Sequence, residues 1–398
     1  MRVDVSLRWL LQSCRSSVHA RRFELLVTTV TTVIAGARLT VTGLGRALAG
    51  GGSHKHSIKR VDRFVGNRKI HREIPQIMTC LARTVVARTK RPIISVDWTG
   101  AAQGRWALVA TATFAGRGIP IWFEVYPKTK YTSRLVQNRF LERLARALPS
   151  DCRPIIVADA GFRRPFFTKV NALAWGFVVR VRGTNRRFGC GGPTYGQVLA
   201  LAGSAPQDVP HIYDPLGARA VLNSLPKSAK RRRRRPLSQQ QRQALEPWLL
   251  ATNLWHHTVD EVVAIYAQRM QIEEAFRDLK SHRLGWSFED SLSRKPGRVE
   301  VLLLVGALAT FVVVMAGLAA ERNHLARHFQ ANTVRNRRVL SVFQLGRLVL
   351  NHLLGSDLTQ AWFAAIRAAP NLTTAALKPR GNGWFLSKHS TAAIPDVF

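Results

Sequence analysis

The chain has 398 residues, of which 46% are hydrophobic, and this length allows two or three domains with a sizeable buried core. Sixty Lys and Arg residues against 23 Asp and Glu give a formal net charge of +37, spread along the whole chain, which favours nucleic acid as the partner. The four cysteines lack the spacing of a zinc motif, which favours a reduced compartment.

Residues 1–90 predict a helical DNA-binding region without a signal peptide. The apolar stretch 23–34 and the segments LTVTGLGRALAG and HSIKRVDRFVGN each predict a helix, with a break at residues 49–52, AGGG. Two short helices around a Gly-containing turn indicate a helix-turn-helix-like DNA reader, a pattern that many small helical domains share. Lys59 and Arg60 on the second helix are therefore candidate DNA contacts.

Residues 91–183 predict strands around one helix, the first part of a catalytic core. PIISVDW is an apolar run that ends in an acid, Asp97, and RWALVATATF and IPIWFEVY flank a Gly-Arg-Gly turn. SRLVQNRFLERLARAL predicts a helix, PIIVADAGF repeats the apolar run and acid at Asp159, and GFVVRVRG predicts another strand. This order of strands and helix is typical of the ribonuclease-H-like α/β fold. If the strands that end in Asp97 and Asp159 pair in parallel, the two acids lie side by side.

An insertion is predicted at residues 184–246, which are rich in Gly, Pro, Ser and Arg. Its basic run, Lys230 to Arg235, is either a solvated loop or a contact with the DNA backbone. Residues 247–345 predict the second part of the catalytic core, and residues 346–398 a C-terminal helical segment. Within the second part of the core, PWLLATNLW predicts a final strand and loop, followed by a helix from about residue 259 to 282.

The segment 301–320, VLLLVGALATFVVVMAGLAA, is apolar throughout. As a helix it would be about 30 Å long, which is enough to span a bilayer. By hydropathy alone, a membrane span and a buried core helix are equally good interpretations.

The helix that ends in YAQRMQIEEAFRDLK carries an unusual set of polar residues. At about 100° per residue, one arc of roughly 80° holds all of them: Tyr266, Arg269, Glu273, Arg277 and Lys280. Surface ion pairing is the ordinary explanation for any one such pair. It does not explain why several donors share a single acid while Glu274 and Asp278 point away.

Phosphodiester chemistry supplies a reason for this grouping. Two Mg²⁺ ions about 3.5 to 4 Å apart can activate an attacking oxygen and stabilise a leaving one, and they need carboxylate ligands. Asp97, Asp159 and Glu273 meet that need. Neighbouring Arg and Lys side chains, among them Arg277, would hold the phosphates.

At these residues the chain resembles the DDE transposases of the bacterial insertion-sequence-four group. The signature of that group is Tyr, two residues, Arg, three residues, Glu, six residues, Lys, which Tyr266, Arg269, Glu273 and Lys280 match. VDWTG, VADAGFRRPF, EPWLLATNL and HFQANTVRNRRVLS resemble the branch carried by tetracycline-resistance composite transposons. The resemblance extends from near Arg60 to the C-terminal helices.

The resemblance implies cut-and-paste transposition through a DNA hairpin, with two Mg²⁺ ions or substituting Mn²⁺ on Asp97, Asp159 and Glu273. It implies that Tyr266, Arg269 and Lys280 grip the hairpin phosphates and that one Trp stacks on a flipped base. Trp248 matches this Trp, and a Trp buried in the core is the alternative interpretation. Arg180 matches a further DNA-contacting Arg of the family, and Arg182 is the alternative for that role.

The partners implied are double-stranded transposon ends and target DNA, with a dimer in the synaptic complex. In this fold the helix after the catalytic Glu helps to cover the sheet, which favours a core helix at 301–320 and no membrane. The expected location is the bacterial cytoplasm, associated with the nucleoid. A nuclease of the same fold that never joins DNA is one alternative, and a non-catalytic basic DNA binder is the other.

Overall fold

The computed structural model shows a mixed α/β protein. It describes residues 3–48, 52–87, 89–114, 116–183, 192–209, 217–223, 246–331, 333, 339–352 and 359–374. The described chain divides into two compact units. Among the described residues, the first comprises Met1–Cys152 and Met270–Thr374, and the second lies within Arg153–Arg269.

The described N-terminal residues of the first unit form five α-helices. They are α1 (Val3–Leu10), α2 (Ala20–Ile34), α3 (Val41–Ala47), α4 (His54–Val65) and α5 (Arg68–Val86). α3 and α4 pack closely, since a Cβ on Gly45 would lie 2.5 Å from the Cα of Ile58. The predicted break between them lies outside the described residues, apart from Gly52. α5 has 19 residues and is longer than the short helices expected here, because Ile70, Ile74 and Ile77 extend one buried stripe.

Three strands and a helix follow: β1 (Ile93–Gly100), β2 (Arg105–Phe114), β3 (Arg117–Pro127) and α6 (Arg134–Ala147). The strands form an antiparallel meander in the order β3-β2-β1. The tip of the β2–β3 hairpin contains Gly116 with φ +83°, a conformation that favours glycine. The hairpin predicted from the flanking apolar segments is therefore confirmed.

The described residues of the second unit form five strands and three helices: β4 (Ile155–Ala158), α7 (Arg164–Ala172), β5 (Gly176–Val181), α8 (Tyr195–Ala200), β6 (Gln207–Val209), β7 (Arg219–Asn223), β8 (Trp248–Thr252) and α9 (Val259–Ala267). The strand order is β4-β5-β8-β7-β6, with only β4 and β5 parallel among these described pairs. α7 was not anticipated. In the segment 184–246, α8, β6 and β7 pack around a small core with β8, whereas the basic run from Lys230 to Arg235 lies outside the described residues.

The remaining α-helices of the described residues belong to the first unit. They are α10 (Met270–Lys280), α11 (Pro296–Arg322), α12 (Ala326–Phe329), α13 (Val342–His352) and α14 (Thr359–Thr374). α10 packs against all three strands of the meander.

The prediction of a single helix over residues 259–282 is wrong, because the chain forms α9 and α10 with a turn between them. At the turn, the amides of Gln268 and Arg269 donate to the carbonyls of Ile265 and Tyr266, three residues back instead of four. Each residue in such a tight turn rotates by about 120° instead of 100°. The common face that links Tyr266 and Arg269 to Glu273 therefore does not run along one helix.

α11 is long and apolar enough to cross a membrane by length and composition, and its most apolar 18-residue window is entirely buried in the protein. Every residue from Val301 to Ala320 is buried. α2, α5, α13, α14 and β3 all pack against this helix, which is why it is apolar on every side. α11 is thus a core helix of the first unit in this structure.

Candidate active site

Asp97 and Glu273 both belong to the first unit. Asp97 follows four buried residues of β1 and is itself partly exposed, and the amide of Trp98 donates to its Oδ1 at 2.7 Å. β1 continues past Asp97 to Gly100 because Thr99 and Gly100 still pair with β2, so Asp97 does not end the strand as expected. The partly exposed Glu273 lies in the first turn of α10, the helix that packs on β1.

Asp159 belongs to the second unit and directly follows β4, as expected. Its Oδ1 accepts a hydrogen bond of 2.8 Å from the amide of Gly161, and its carbonyl accepts one from Phe162. These bonds form a tight turn ahead of α7 and leave the carboxylate partly exposed. The three predicted ligands therefore come from both units.

Trp248 and Tyr266 pack together in the second unit. Their rings meet edge to face, with centroids 5.0 Å apart. Tyr266 is buried, at 4% exposure, and Trp248 is half-buried at the start of β8. Burial raises the pKa of the Tyr266 phenol, nearby Arg269 and Arg180 lower it, and Asp159 raises it. The second unit thus brings together the five site residues predicted within it: Asp159, Arg180, Trp248, Tyr266 and Arg269.

Arg180 and Arg182 both face Glu246. Arg180 donates to the Glu246 carbonyl at 3.3 Å, and its guanidinium lies 3.7 Å from that carboxylate. The Arg182 guanidinium lies 3.9 Å from the same carboxylate. Burial lowers the pKa of Arg180, whose side chain is 9% exposed, whereas the Arg182 side chain is 36% exposed. Arg182 is therefore the more accessible of the two to a DNA phosphate.

α10 retains part of the predicted basic face. Burial lowers the pKa of the partly exposed Lys280, and Glu289 opposes this shift. The Arg277 side chain is 63% exposed and donates to Glu274 at 2.9 Å, an ordinary i,i+3 ion pair. Arg277 and Lys280 thus lie on the same helix as Glu273.

Sequence reasoning missed the surroundings of Glu274 and Asp278. Both carboxylates contact Arg117, which was read only as part of a turn. Burial raises the pKa of Asp278 to about 7, and this effect outweighs the opposite effect of Arg117. The one signal in the sequence was an Arg between two glycines at the hairpin tip.

A basic cleft of about 730 Å³ was also missed. It is lined by Thr40, Val41, Thr42, Gly66, Arg68, His71, Asp290, Leu292, Ser293, Arg294, Lys295, Gly297 and Arg298. The predicted contacts Lys59 and Arg60 are exposed on α4 in the same unit. The sequence SRKPGR, residues 293–298, spans the start of α11 and is a basic cluster that could have indicated this surface.

Carboxylate oxygens are the ligands that Mg²⁺ takes in proteins, and the partly exposed Asp97, Asp159 and Glu273 supply them. The donor chemistry therefore fits a divalent metal. Among the residues that the structure describes, no group of three or more His, Cys, Asp or Glu side chains could hold a metal ion. The assembled three-ligand centre stays a prediction.

A family model matches more than half of the chain. The model describes a transposase DDE domain and covers residues 88–312, which include Asp97, Asp159, Glu273 and the Tyr266-to-Lys280 signature. No curated protein matches the chain. The chain therefore belongs to the family of transposases with a DDE domain.

Proposed function

We propose that the chain is a cut-and-paste DNA transposase in which Asp97, Asp159 and Glu273 hold two divalent metal ions, Mg²⁺ or substituting Mn²⁺. The packing of α10 on β1 carries this proposal, because it brings the helix of Glu273 to the strand of Asp97. When bound, the metal would activate the attacking oxygen and stabilise the leaving one.

The proposed reaction is a series of phosphodiester exchanges, each forming one P–O bond and breaking another. Water first cuts one strand at the transposon end and releases a 3′-hydroxyl. That hydroxyl attacks the opposite strand to form a hairpin, and a second water molecule opens the hairpin. The regenerated 3′-hydroxyl then attacks the target DNA and displaces a 3′-oxygen there.

The second unit offers residues that suit the hairpin. Arg269 and Arg180, with the phenol of Tyr266, would hold its phosphates, and Trp248 would stack on a base turned out of the helix. Lys280 on α10 of the first unit would also hold a hairpin phosphate. The electrostatic coupling of Tyr266 to Arg269, Arg180 and Asp159 supports a shared role within that unit. Trp248 is only half-buried, which supports a stacking role over a purely structural one.

DNA outside the cleavage point would lie on the basic surfaces of the first unit. Lys59 and Arg60 on α4, and the cleft with Arg68, Arg294 and Arg298, supply the positive charge. We propose that two copies join two transposon ends in a dimer, in the bacterial cytoplasm and close to the nucleoid.

A strand-transfer assay tests the proposal. Ends selected from a DNA library by protection from digestion are supplied precut, with a target plasmid and Mg²⁺, to the full chain and to an Asp159→Asn control. We expect joined products with the wild-type protein and none with the control. Cutting of intact ends without joining would support a nuclease, and binding without either reaction would support a non-catalytic DNA binder.

A further inference from the structure

The tip of the β2–β3 hairpin contacts the side of α10 that carries Glu274 and Asp278. Nη1 of Arg117 lies 3.0 Å from Oε2 of Glu274, and its Nε lies 3.0 Å from Oδ2 of Asp278. The amide of Phe114 donates to Oε1 of Gln271 at 2.9 Å. The Arg117, Glu274 and Asp278 side chains are 15, 22 and 6% exposed, so the ion pairs are largely shielded from water.

These contacts share one face of α10. Gln271, Glu274 and Asp278 lie within an arc of about 60°, and Glu273 is about 130° from its centre. Rotation of α10 about its axis would move Glu273 and break all three contacts. The preceding turn separates α10 from α9, so α10 does not take its orientation from a continuous helix.

Stability alone does not account for this arrangement. Burial of Asp278 is costly enough to raise its pKa to about 7 despite the contact with Arg117. A buried ion pair is often no better for stability than apolar residues of similar volume. The hydrogen bond from Arg117 to Glu274 does impose a direction, because guanidinium donors have a fixed planar geometry, and the close ion pair with Asp278 adds a second contact on the same face of α10.

We propose that Arg117 is a positioning residue that fixes the rotation of α10, and with it the placement of Glu273, by bridging Glu274 and Asp278. This inference rests on the proposed function for the role of Glu273 and deepens it. Arg117 touches neither DNA nor the reacting atoms in this role.

The test compares Arg117→Gln with Arg143→Gln in the full chain. Arg143 pairs at 2.7 Å with Glu124, a buried acid of β3, so its variant controls for the loss of a cation from a buried carboxylate. Three quantities are measured: hydrogen exchange of the α10 amides without metal, Mn²⁺ affinity from the paramagnetic resonance of free Mn²⁺, and nicking rate.

For Arg117→Gln we expect faster exchange in α10 and Mn²⁺ binding several-fold weaker than in Arg143→Gln. Nicking should fall roughly 10- to 100-fold, the scale of a small misplacement, with the dissociation constant for end DNA unchanged. Arg117→Lys keeps the charge and one carboxylate contact, so it should restore part of the activity and of the Mn²⁺ affinity.

Equal exchange, Mn²⁺ affinity and nicking in the two Gln variants would overturn the inference. If Arg117→Gln fails to fold, Arg117→Lys is compared with Arg143→Lys by the same criteria. If the wild-type protein cuts no DNA, the proposed function fails. The exchange of α10 then decides separately whether Arg117 orients this helix.

Discussion

Glu273 and Glu274 are adjacent residues of α10 with different surroundings. Glu274 accepts from Arg117 and Arg277, whereas Glu273 is the proposed metal ligand on another side of the helix. We expect Glu273→Gln to reduce both nicking and joining by about 100-fold or more, the scale of losing one preorganised electrostatic group. End binding should persist, since the cations that hold phosphate remain.

Glu274→Gln is the matched control for this prediction. The variant keeps an oxygen that can accept from Arg117, so we expect a smaller loss of cleavage than in Glu273→Gln. Gel-shift affinity and Mg²⁺-dependent cleavage are measured for both proteins. An active Glu273→Gln beside an inactive Glu274→Gln would refute the assignment of the metal ligand.

Trp248 contacts the ring of Tyr266 and is open enough to stack on a base. A stack is worth about 1 to 3 kcal/mol, so Trp248→Ala should slow hairpin formation by about 5- to 160-fold. First-strand nicking should change little, because it does not require a base outside the helix. The two steps are resolved on denaturing gels, with Trp248→Phe as the variant that keeps an aromatic ring. Equal loss at both steps would indicate a structural Trp.

At the scale of elements, α10 packs against the meander through Asp278, a carboxyl group with a pKa near neutral pH. Arg117 from β3, Glu274 and Arg277 from α10 and Arg347 from α13 face Asp278, whose pKa is raised by burial to about 7. An unfolded Asp has a pKa of about 3.9, so between these values the unfolded chain releases a proton that the folded protein keeps. The contribution of Asp278 therefore makes the protein less stable as pH rises from about 4 to 7.

Asp278→Asn should remove that dependence. The free energy of unfolding of the wild-type protein should fall more between pH 5 and pH 8 than that of the variant, by at most a few kcal/mol. Urea denaturation at the two pH values measures the difference. Parallel pH profiles would show that Asp278 is ionised throughout this range.

The crossing of α11 and α13 depends on two glycines. A Cβ on Gly346 would lie 1.9 Å from the Val313 carbonyl oxygen, and one on Gly317 would lie 2.0 Å from that of Val342. Gly346→Ala should therefore destabilise the protein by about 1 to 3 kcal/mol or more, because the backbones must separate. Gly196→Ala on α8 is the control, since no atom lies within 4 Å of its added Cβ. A thermal melt of Gly346→Ala that matches the control would contradict this packing.

Apolar periodicity was sufficient to predict strands that pair with one neighbouring strand on each side, such as β2. β2 spans the same residues, Arg105–Phe114, as the apolar segment that predicted it. The break between α9 and α10 could not be predicted, because YAQRMQIEEAFRDLK contains neither Gly nor Pro and the turn reflects tertiary packing. α7 was missed because its start, Arg164-Pro165, directly follows a strand and its turn.

The chemistry-bearing residues of the site could be proposed from the sequence because a metal needs specific side chains, and they lie within the residues that the family model covers. The residues that hold those elements in place were not. Arg117 and Asp278 are ordinary polar residues in sequence, and only the approach of the hairpin to α10 distinguishes them. The helical projection placed Asp278 away from Glu273 but could not show that it is buried.

At the scale of the whole molecule, α11 meets the compositional test for a membrane span and is buried by the first unit. We expect the protein to stay in the supernatant in high salt without detergent, where its charge of +37 no longer retains it on nucleic acid. Cell fractionation checks this outcome. Retention in membranes after a carbonate wash would mean that α11 is inserted in lipid.

The central position of α11 also has a consequence for synthesis on the ribosome. α2, α5 and β3 pack against a helix that begins at Pro296, so most of the chain emerges before the partner of these elements exists. The described part of the second unit, Arg153–Arg269, precedes α11 in the chain, whereas the first unit waits for α11. During that interval the nascent N-terminal helices expose apolar faces, and aggregation competes with folding. The speed of translation through residues 270–322 thus determines how long the growing chain is exposed to aggregation.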